Sequence, residues 1–276
     1  IQPFTFQALR SLMGSLALLP VIALFGRRDK KAGRQPMPRE NRHLLRGGLL
    51  CGLALFVAIN LQQFGLVTTT AGKAGFLTAL YILIVPIYGL FLGHKPGAAL
   101  WVAVLIAAAG LYLLSVTERF TIARGDFLLI LCAFFFALQI MLVDHFVQKV
   151  NGVKLCAMQF LVCGLLSLGA MFLFEQPRAD AILRAAGPLL YAGVLSSGVA
   201  YTLQILAQRT TPPAIASLLM SLEAVFAVIT GVIVLGQVPT LREIIGSALM
   251  FSAILIAQRG SPPRDAHPAP PDTEQC

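Results

Sequence analysis

Nine apolar segments constrain this chain more than any motif does. They fall at roughly 4–25, 47–66, 71–92, 98–116, 125–147, 155–174, 185–207, 214–235 and 243–258. A hydrocarbon core of about 30 Å asks for about 20 residues of helix at 1.5 Å per residue, and most of the segments supply them. The last is short and must borrow interface residues. Backbone amides inside lipid find no water, so a spanning segment is either a helix or a strand of a closed barrel. Alternating strands of barrel type are absent. The expected fold class is therefore an all-α polytopic membrane protein. Composition agrees: 57% of residues are hydrophobic, 12% are charged and the mean hydropathy is +0.81. No single soluble core hides that much apolar side chain.

The chain also repeats itself. Leu61 to Leu92 reads LQQFGLVTTTAGKAGFLTALYILIVPIYGLFL, and 142 positions later Leu203 to Val234 reads LQILAQRTTPPAIASLLMSLEAVFAVITGVIV. Nine of these 32 positions match: Leu61, Gln62, Thr68, Thr69, Ala74, Leu77, Leu80, Ile87 and Gly89. Both copies run glutamine, paired threonines and then a membrane-length helix. A repeat of this size in a membrane chain points to two structural halves around a central site.

The net charge of +9 does not indicate nucleic acid, because eight of the 21 Lys and Arg residues crowd into Gly26–Arg46, between two apolar runs. Basic loops beside spans orient a protein and can touch anionic lipid. With residue 1 outside, the cytoplasmic connections and tail hold 14 basic residues and the opposite loops hold 5. That bias puts the C-terminus in the cytoplasm of a cell's inner or plasma membrane. The tail 259–276 is proline-rich and polar and is expected to be disordered.

Four spans precede Glu118 and five follow it. Five spans per half would insert the two halves in opposite senses, so one further helix is expected before Ile1, the alternative being a natural nine-span protein. The reading is two inverted helical repeats, 4 + 5 spans here and 5 + 5 in the complete protein, over residues 1–117 and 118–258.

PFTFQALRSLMGSLALLP at Pro3–Pro20 resembles the second helix of EamA-type members of the drug/metabolite transporter superfamily. GDFLLILCAFFFALQ at Gly125–Gln139 is similar to the helix that opens that family's second domain. TTTAGKAGFLTALYILIVPIYGLFLG and SLLMSLEAVFAVITGVIVLGQ resemble its paired fourth and ninth helices. The resemblance covers about residues 3–258. It implies ten helices in two inverted repeats, both termini cytoplasmic, and movement of small metabolites. Where the family often carries Glu after the Leu-Gly that ends these helices, this chain has His94 and Gln237, so no role of those glutamates carries over.

Glu223 is the sharpest candidate. About ten residues into its helix it lies ~15 Å deep, near the midplane. An ionised carboxylate there costs at least ~2.5 kcal/mol, so it should face protein or a water-filled cavity. It reads as a proton-coupling or substrate-amine site, against a protonated carboxyl bonded between helices. Lys73 sits near the outer boundary, where it can snorkel or capture an anion. Arg10, at a position where the resemblance includes an arginine, is either bonded to carbonyls or part of a gate or anion site. Gln62 and Gln204 are repeat mates expected to reach the central path from opposite faces. Asn60, Gln139 and Gln159 are further polar groups in the spans, and Tyr81, Tyr88 and Tyr201 could stack on a ligand. Pro86 predicts a kink and a hinge. Asp144-His145 reads as a solvated helix end.

Cys51, Cys132, Cys156 and Cys163 lie in apolar runs and Cys276 ends the chain. No C-x-x-C, zinc spacing, G-x-S-x-G, H-E-x-x-H or phosphate-cradling loop occurs, so neither enzyme, metal, cofactor nor ATP motor is expected. The expected function is secondary transport of a small metabolite or drug-like solute by alternating access, with proton coupling as one form. The competing readings are an antiporter of anionic metabolites or nucleotide sugars, and a non-transporting scaffold or receptor. The implied partners are a small-molecule substrate, the lipid bilayer and protons.

Overall fold

The computed structural model describes residues 1–31, 38–93, 96–115, 124–236 and 238–259. Among them, nine helical spans are long and apolar enough to cross a membrane: Pro3–Leu24, Glu40–Leu66, Gly72–Phe91, Ala98–Ser115, Gly125–Val147, Gly152–Phe174, Ala186–Gln208, Pro213–Val234 and Leu241–Arg259. The first two belong to helices α1 (Pro3–Lys31) and α2 (Pro38–Leu66), and the third is split into α3 (Ala71–Ala79) and α4 (Tyr81–Phe91). Then come α5 (Ala98–Ser115), α6 (Arg124–Val147), α7 (Gly152–Phe174) and the short α8 (Ala179–Arg184). The seventh span joins α9 (Ala186–Leu190), a π-helical stretch (Tyr191–Ala200) and α10 (Tyr201–Gln208). The eighth is split into α11 (Pro213–Met220) and α12 (Glu223–Leu235), and α13 (Leu241–Arg259) closes the bundle.

The described residues thus form an all-α polytopic bundle. Helix α2 begins well before residue 47, because Pro38 opens a turn that carries the basic residues Arg42 and Arg46 on helix instead of loop. At the start of α7, Asn151 Oδ1 accepts from the amides of Val153 at 2.9 Å and Lys154 at 3.3 Å, a side-chain cap for orphan N–H groups. His94, Gln237, Glu118, Cys276 and the tail beyond Arg259 lie outside the described residues.

The main helix pairs join one half of the chain to the other: α5 with α13, α2 with α6 and α7, α1 with α7 and the π stretch, and α4 with α6 and α11. Gly48 and Gly52, one turn apart on α2, let that helix come close to α7. A Cβ on Gly52 would lie 2.7 Å from Val162 Cβ and 2.8 Å from the Gln159 carbonyl, so α2 rests directly on the backbone of α7. Two large apolar clusters result among the described residues, beside a small one on Ala74, Leu77 and Leu129. One is built on Ile82, Val104, Leu111, Ile140, Leu218 and Met250, the other on Leu55, Ile59, Val143, Phe160 and Ile205.

The third and eighth spans cross in opposite senses and both are interrupted, at Leu80 and at Ser221–Leu222. Shifted by 142, Leu80 falls on Leu222, so the two interruptions are one feature repeated. Pro86, where a kink and a hinge are expected, lies inside the continuous α4, and the interruption itself falls six residues earlier. The repeat mate of Pro86 is Val228, so the second copy breaks at the equivalent place without a proline. Tight i→i−3 bonds bridge the first break, Leu80 N–H to the Leu77 carbonyl at 3.3 Å and Leu83 N–H to the Leu80 carbonyl at 3.0 Å. In the second, the hydroxyls of Ser217 and Ser221 donate back to the carbonyls of Ala214 and Leu218, both at 2.7 Å, which loosens the ladder just where it stops.

Candidate functional site

Around the breaks the bundle encloses a cavity of about 300 Å³. Six spans contribute to its wall: Arg10 from α1, Gln62 from α2, Thr78 and Tyr81 from the broken third span, and Phe136, Gln139 and Ile140 from α6. The seventh span adds Ser196, Tyr201 and Gln204, and the broken eighth adds Met220 and Glu223. Internal symmetry runs through this wall. Gln62 faces it with Gln204, Thr78 with Met220 and Tyr81 with Glu223, each pair being one position in the two repeats.

Glu223 opens the second half of its span as the first residue of α12. Its carboxylate makes no hydrogen bond or ion pair with the protein among the described residues, although protein atoms surround it on most sides. It is nonetheless solvent-accessible, because it faces voids. Besides the inner cavity it lines a cleft of about 810 Å³ with Gly72, Gly75, Ala79, Ala227, Val228 and Val232, which reaches Thr240 and Glu243 at the start of α13. The broken helices explain the cleft. Their halves on the Lys149 side, α4 and α11, pack together, whereas α3 and α12, on the Glu175 side, diverge. A carboxyl at this depth with both a cavity and a cleft beside it can exchange a proton or meet a ligand amine.

Arg10 is held differently. Its Nε donates to Ser197 Oγ at 2.9 Å and its Nη2 to Ser196 Oγ at 3.2 Å. Both serines belong to the π stretch, where five-residue turns widen the helix. That stretch meets α1 at close range, since a Cβ on Gly14 would fall 2.7 Å from Ser197 Cβ. Neutral hydroxyls thus aim the guanidinium without cancelling its charge, and Arg10 has no carboxylate partner among the described residues. The two charged side chains of the cavity, Arg10 and Glu223, are accordingly left for something else to complete.

Three candidates stand apart from this cavity. Lys73 neither snorkels nor waits for an anion: it forms an ion pair with Asp126, a residue 2% exposed at the first turn of α6. Asp126 also accepts from Thr69 Oγ1 at 3.0 Å, which ties the threonine turn to the second half of the chain. Gln159 is wholly buried behind the wall and accepts from Gln139 Nε2 at 3.1 Å. Asn60 donates to the Phe56 carbonyl at 2.7 Å and reaches Ser167 Oγ at 3.5 Å. Asp144, read as part of a solvated helix end, is buried at 5% exposure, while His145 beside it is exposed.

Several contributors escaped the sequence reading. Ser196 and Ser197 are unremarkable in an apolar run, and their link to Arg10 crosses about 190 residues, 187 for Ser197. Glu175 was silent as well. It accepts from the amides of Phe4 and Thr5 at 2.8 Å each and from Thr5 Oγ1 at 2.7 Å, so the carboxylate ending α7 caps the start of α1. Among the described residues no group of three His, Cys, Asp or Glu side chains gathers at metal distance.

A bundle of broken, oppositely inserted helices around a polar cavity of solute size belongs to the class of polytopic membrane transporters. The EamA-like transporter family model matches residues 1–116 and again residues 123–258, and the chain belongs to that family. It is 28% identical over 257 residues to an uncharacterized transporter of Archaeoglobus fulgidus, covering 93% of this chain and 77% of that one. A protein of known crystal structure, 20% identical, superposes with a TM-score of 0.74 over 94% of this chain and 88% of the other, and so shares its fold.

Proposed function

We propose that this membrane transporter is a secondary carrier that moves a small organic solute by alternating access, with Glu223 as its coupling group. The observation that carries the reading is the pair of uncompensated ionisable groups, Arg10 and Glu223, on one cavity of about 300 Å³. Charges held inside a bilayer are costly and survive where a ligand, ion or water completes them. A solute with an acceptor for Arg10 and an amine for Glu223 fits this wall. A neutral solute accompanied by a proton on Glu223 fits it as well. The diverging α3 and α12 and the packed α4 and α11 correspond to a state open on the Glu175 side, and exchanging the two arrangements would open the other side.

The positive-inside bias supports a cytoplasmic Lys149 side and C-terminus in the inner or plasma membrane, with two EamA-like units meeting near Glu118 and a tail from residue 259. The anion-antiporter reading places Lys73 and Arg10 on the ligand; Arg10 lines the cavity, whereas Lys73 is paired with Asp126, which counts against half of that reading. Solute uptake into proteoliposomes under an imposed pH gradient tests the proposal. Uptake by wild type that is lost in Glu223→Gln supports it. Uptake of the same rate in both removes Glu223 from the mechanism, and absence of flux for every member of a broad metabolite panel favours a scaffold.

A further inference from the structure

We propose that a second site, on the Lys149 side between α2 and α6, holds the phosphate of an anionic phospholipid. A recess of about 500 Å³ is lined there by His43, Arg46, His145 and Lys149 together with Leu49, Leu50 and Phe146. It lies on the other side of the helix breaks from the cleft and shares no residue with the cavity.

The charges converge on this recess. His145 Nε2 and Lys149 Nζ stand 2.7 Å apart one turn along α6, so the ammonium donates to the ring and is held at the rim. Arg46 rises opposite on α2 with His43 one turn before it. Of the acidic groups on the neighbouring elements, Glu40 pairs with Lys154 at 3.7 Å, and Asp144, buried next to His145, sets one negative charge against the four basic side chains of the recess. Arginine forks and lysine ammonium groups are the usual partners of phosphate oxygens. Directly below, Leu45, Leu49, Leu50 and Leu53 of α2 are each about half exposed, an apolar strip that runs from the basic rim into the hydrocarbon zone. Positive charge over a lipid-facing apolar strip matches a headgroup with its acyl chain, and does not match a free anion, which has no use for the leucines.

Native mass spectrometry of the full chain released from bilayers that contain phosphatidylglycerol and phosphatidylcholine tests this. Wild type should retain phosphatidylglycerol over phosphatidylcholine by about fivefold or more, given about 1 kcal/mol per basic residue at a surface. The double variant Arg46→Gln with Lys149→Gln should lose that preference. Arg46→Lys should keep most of it, and Arg178→Gln, on the opposite side, should change nothing. Equal retention of the two lipids by wild type overturns the proposal whatever the variants do, as does a double variant that keeps the preference. Should inorganic phosphate in lipid-free detergent raise the melting temperature as far as phosphatidylglycerol does, the site is for a soluble anion and the lipid assignment falls.

Discussion

Tyr81 and Glu223 are the same residue position in the two repeats, 142 apart, and each is the first residue past the break in its helix. Both line the inner cavity. One copy therefore offers a phenol and the other a carboxyl at equivalent points of an inverted pair. At this repeated position only the second half carries a carboxyl, which makes Glu223 the position to change first.

Glu223→Gln keeps the shape of the side chain and removes its charge. Because the carboxylate has no protein partner to lose, thermal stability in detergent should stay level or rise, while pH-driven uptake falls to background. A large drop in melting temperature would mean that Glu223 bonds its neighbours and serves the fold.

Arg10 is aimed by two serines, and each of Ser196→Ala and Ser197→Ala should cost about 1–2 kcal/mol of unfolding free energy. Arg10→Lys replaces the fork, whose Nε and Nη2 each serve one hydroxyl, by a single compact ammonium. Substrate affinity should fall about tenfold, equivalent to ~1.4 kcal/mol, as read by ligand-induced shifts in melting temperature.

Breaking the pair between Lys73 and Asp126 from either end should be severe. Lys73→Met or Asp126→Leu alone leaves a largely buried charge and should cost about 3 kcal/mol, whereas the double substitution should recover more than half of that loss. Additive losses in a double-mutant cycle would show that the two side chains do not depend on each other.

The cleft can be probed with thiol reagents. The four described cysteines, Cys51, Cys132, Cys156 and Cys163, are 0% exposed and give little background once Cys276 is replaced by Ser. Ala227→Cys on the cleft wall should react with a membrane-impermeant reagent added from the Glu175 side, and Leu218→Cys, 1% exposed where α11 is packed against α4, should resist. The reverse pattern would place the opening at the other end.

Glu175 supplies three bonds to the first turn of α1, so Glu175→Ala should cost about 1–2 kcal/mol and speed hydrogen exchange at the amides of Phe4 and Thr5. Protection unchanged at those two amides would rule out the cap.

The spans were readable because membrane length and apolarity are one-dimensional properties, and the repeat announced the paired third and eighth spans. Glu223, Arg10, Gln62, Gln204 and Tyr81 stood out as polar groups in apolar runs, and all five line the cavity. What stayed hidden was pairing at long range. Lys73 gives no sign that its partner is Asp126, and nothing near Arg10 announces Ser196 and Ser197. The break at Leu80 was also masked, because Pro86 is the louder signal and the serines that loosen the second copy look ordinary in a helix.

The main helix pairs join the first half to the second, so neither half can complete its packing before the other is made. During synthesis α1 enters the bilayer with Arg10 exposed, and the serine that holds Nε is made 187 residues later. At about 5–20 residues per second, that guanidinium waits roughly 10–40 s for its hydroxyls. Its early companions must be water, lipid phosphates or the insertion machinery, and quality control at the ribosome has that interval in which to intervene.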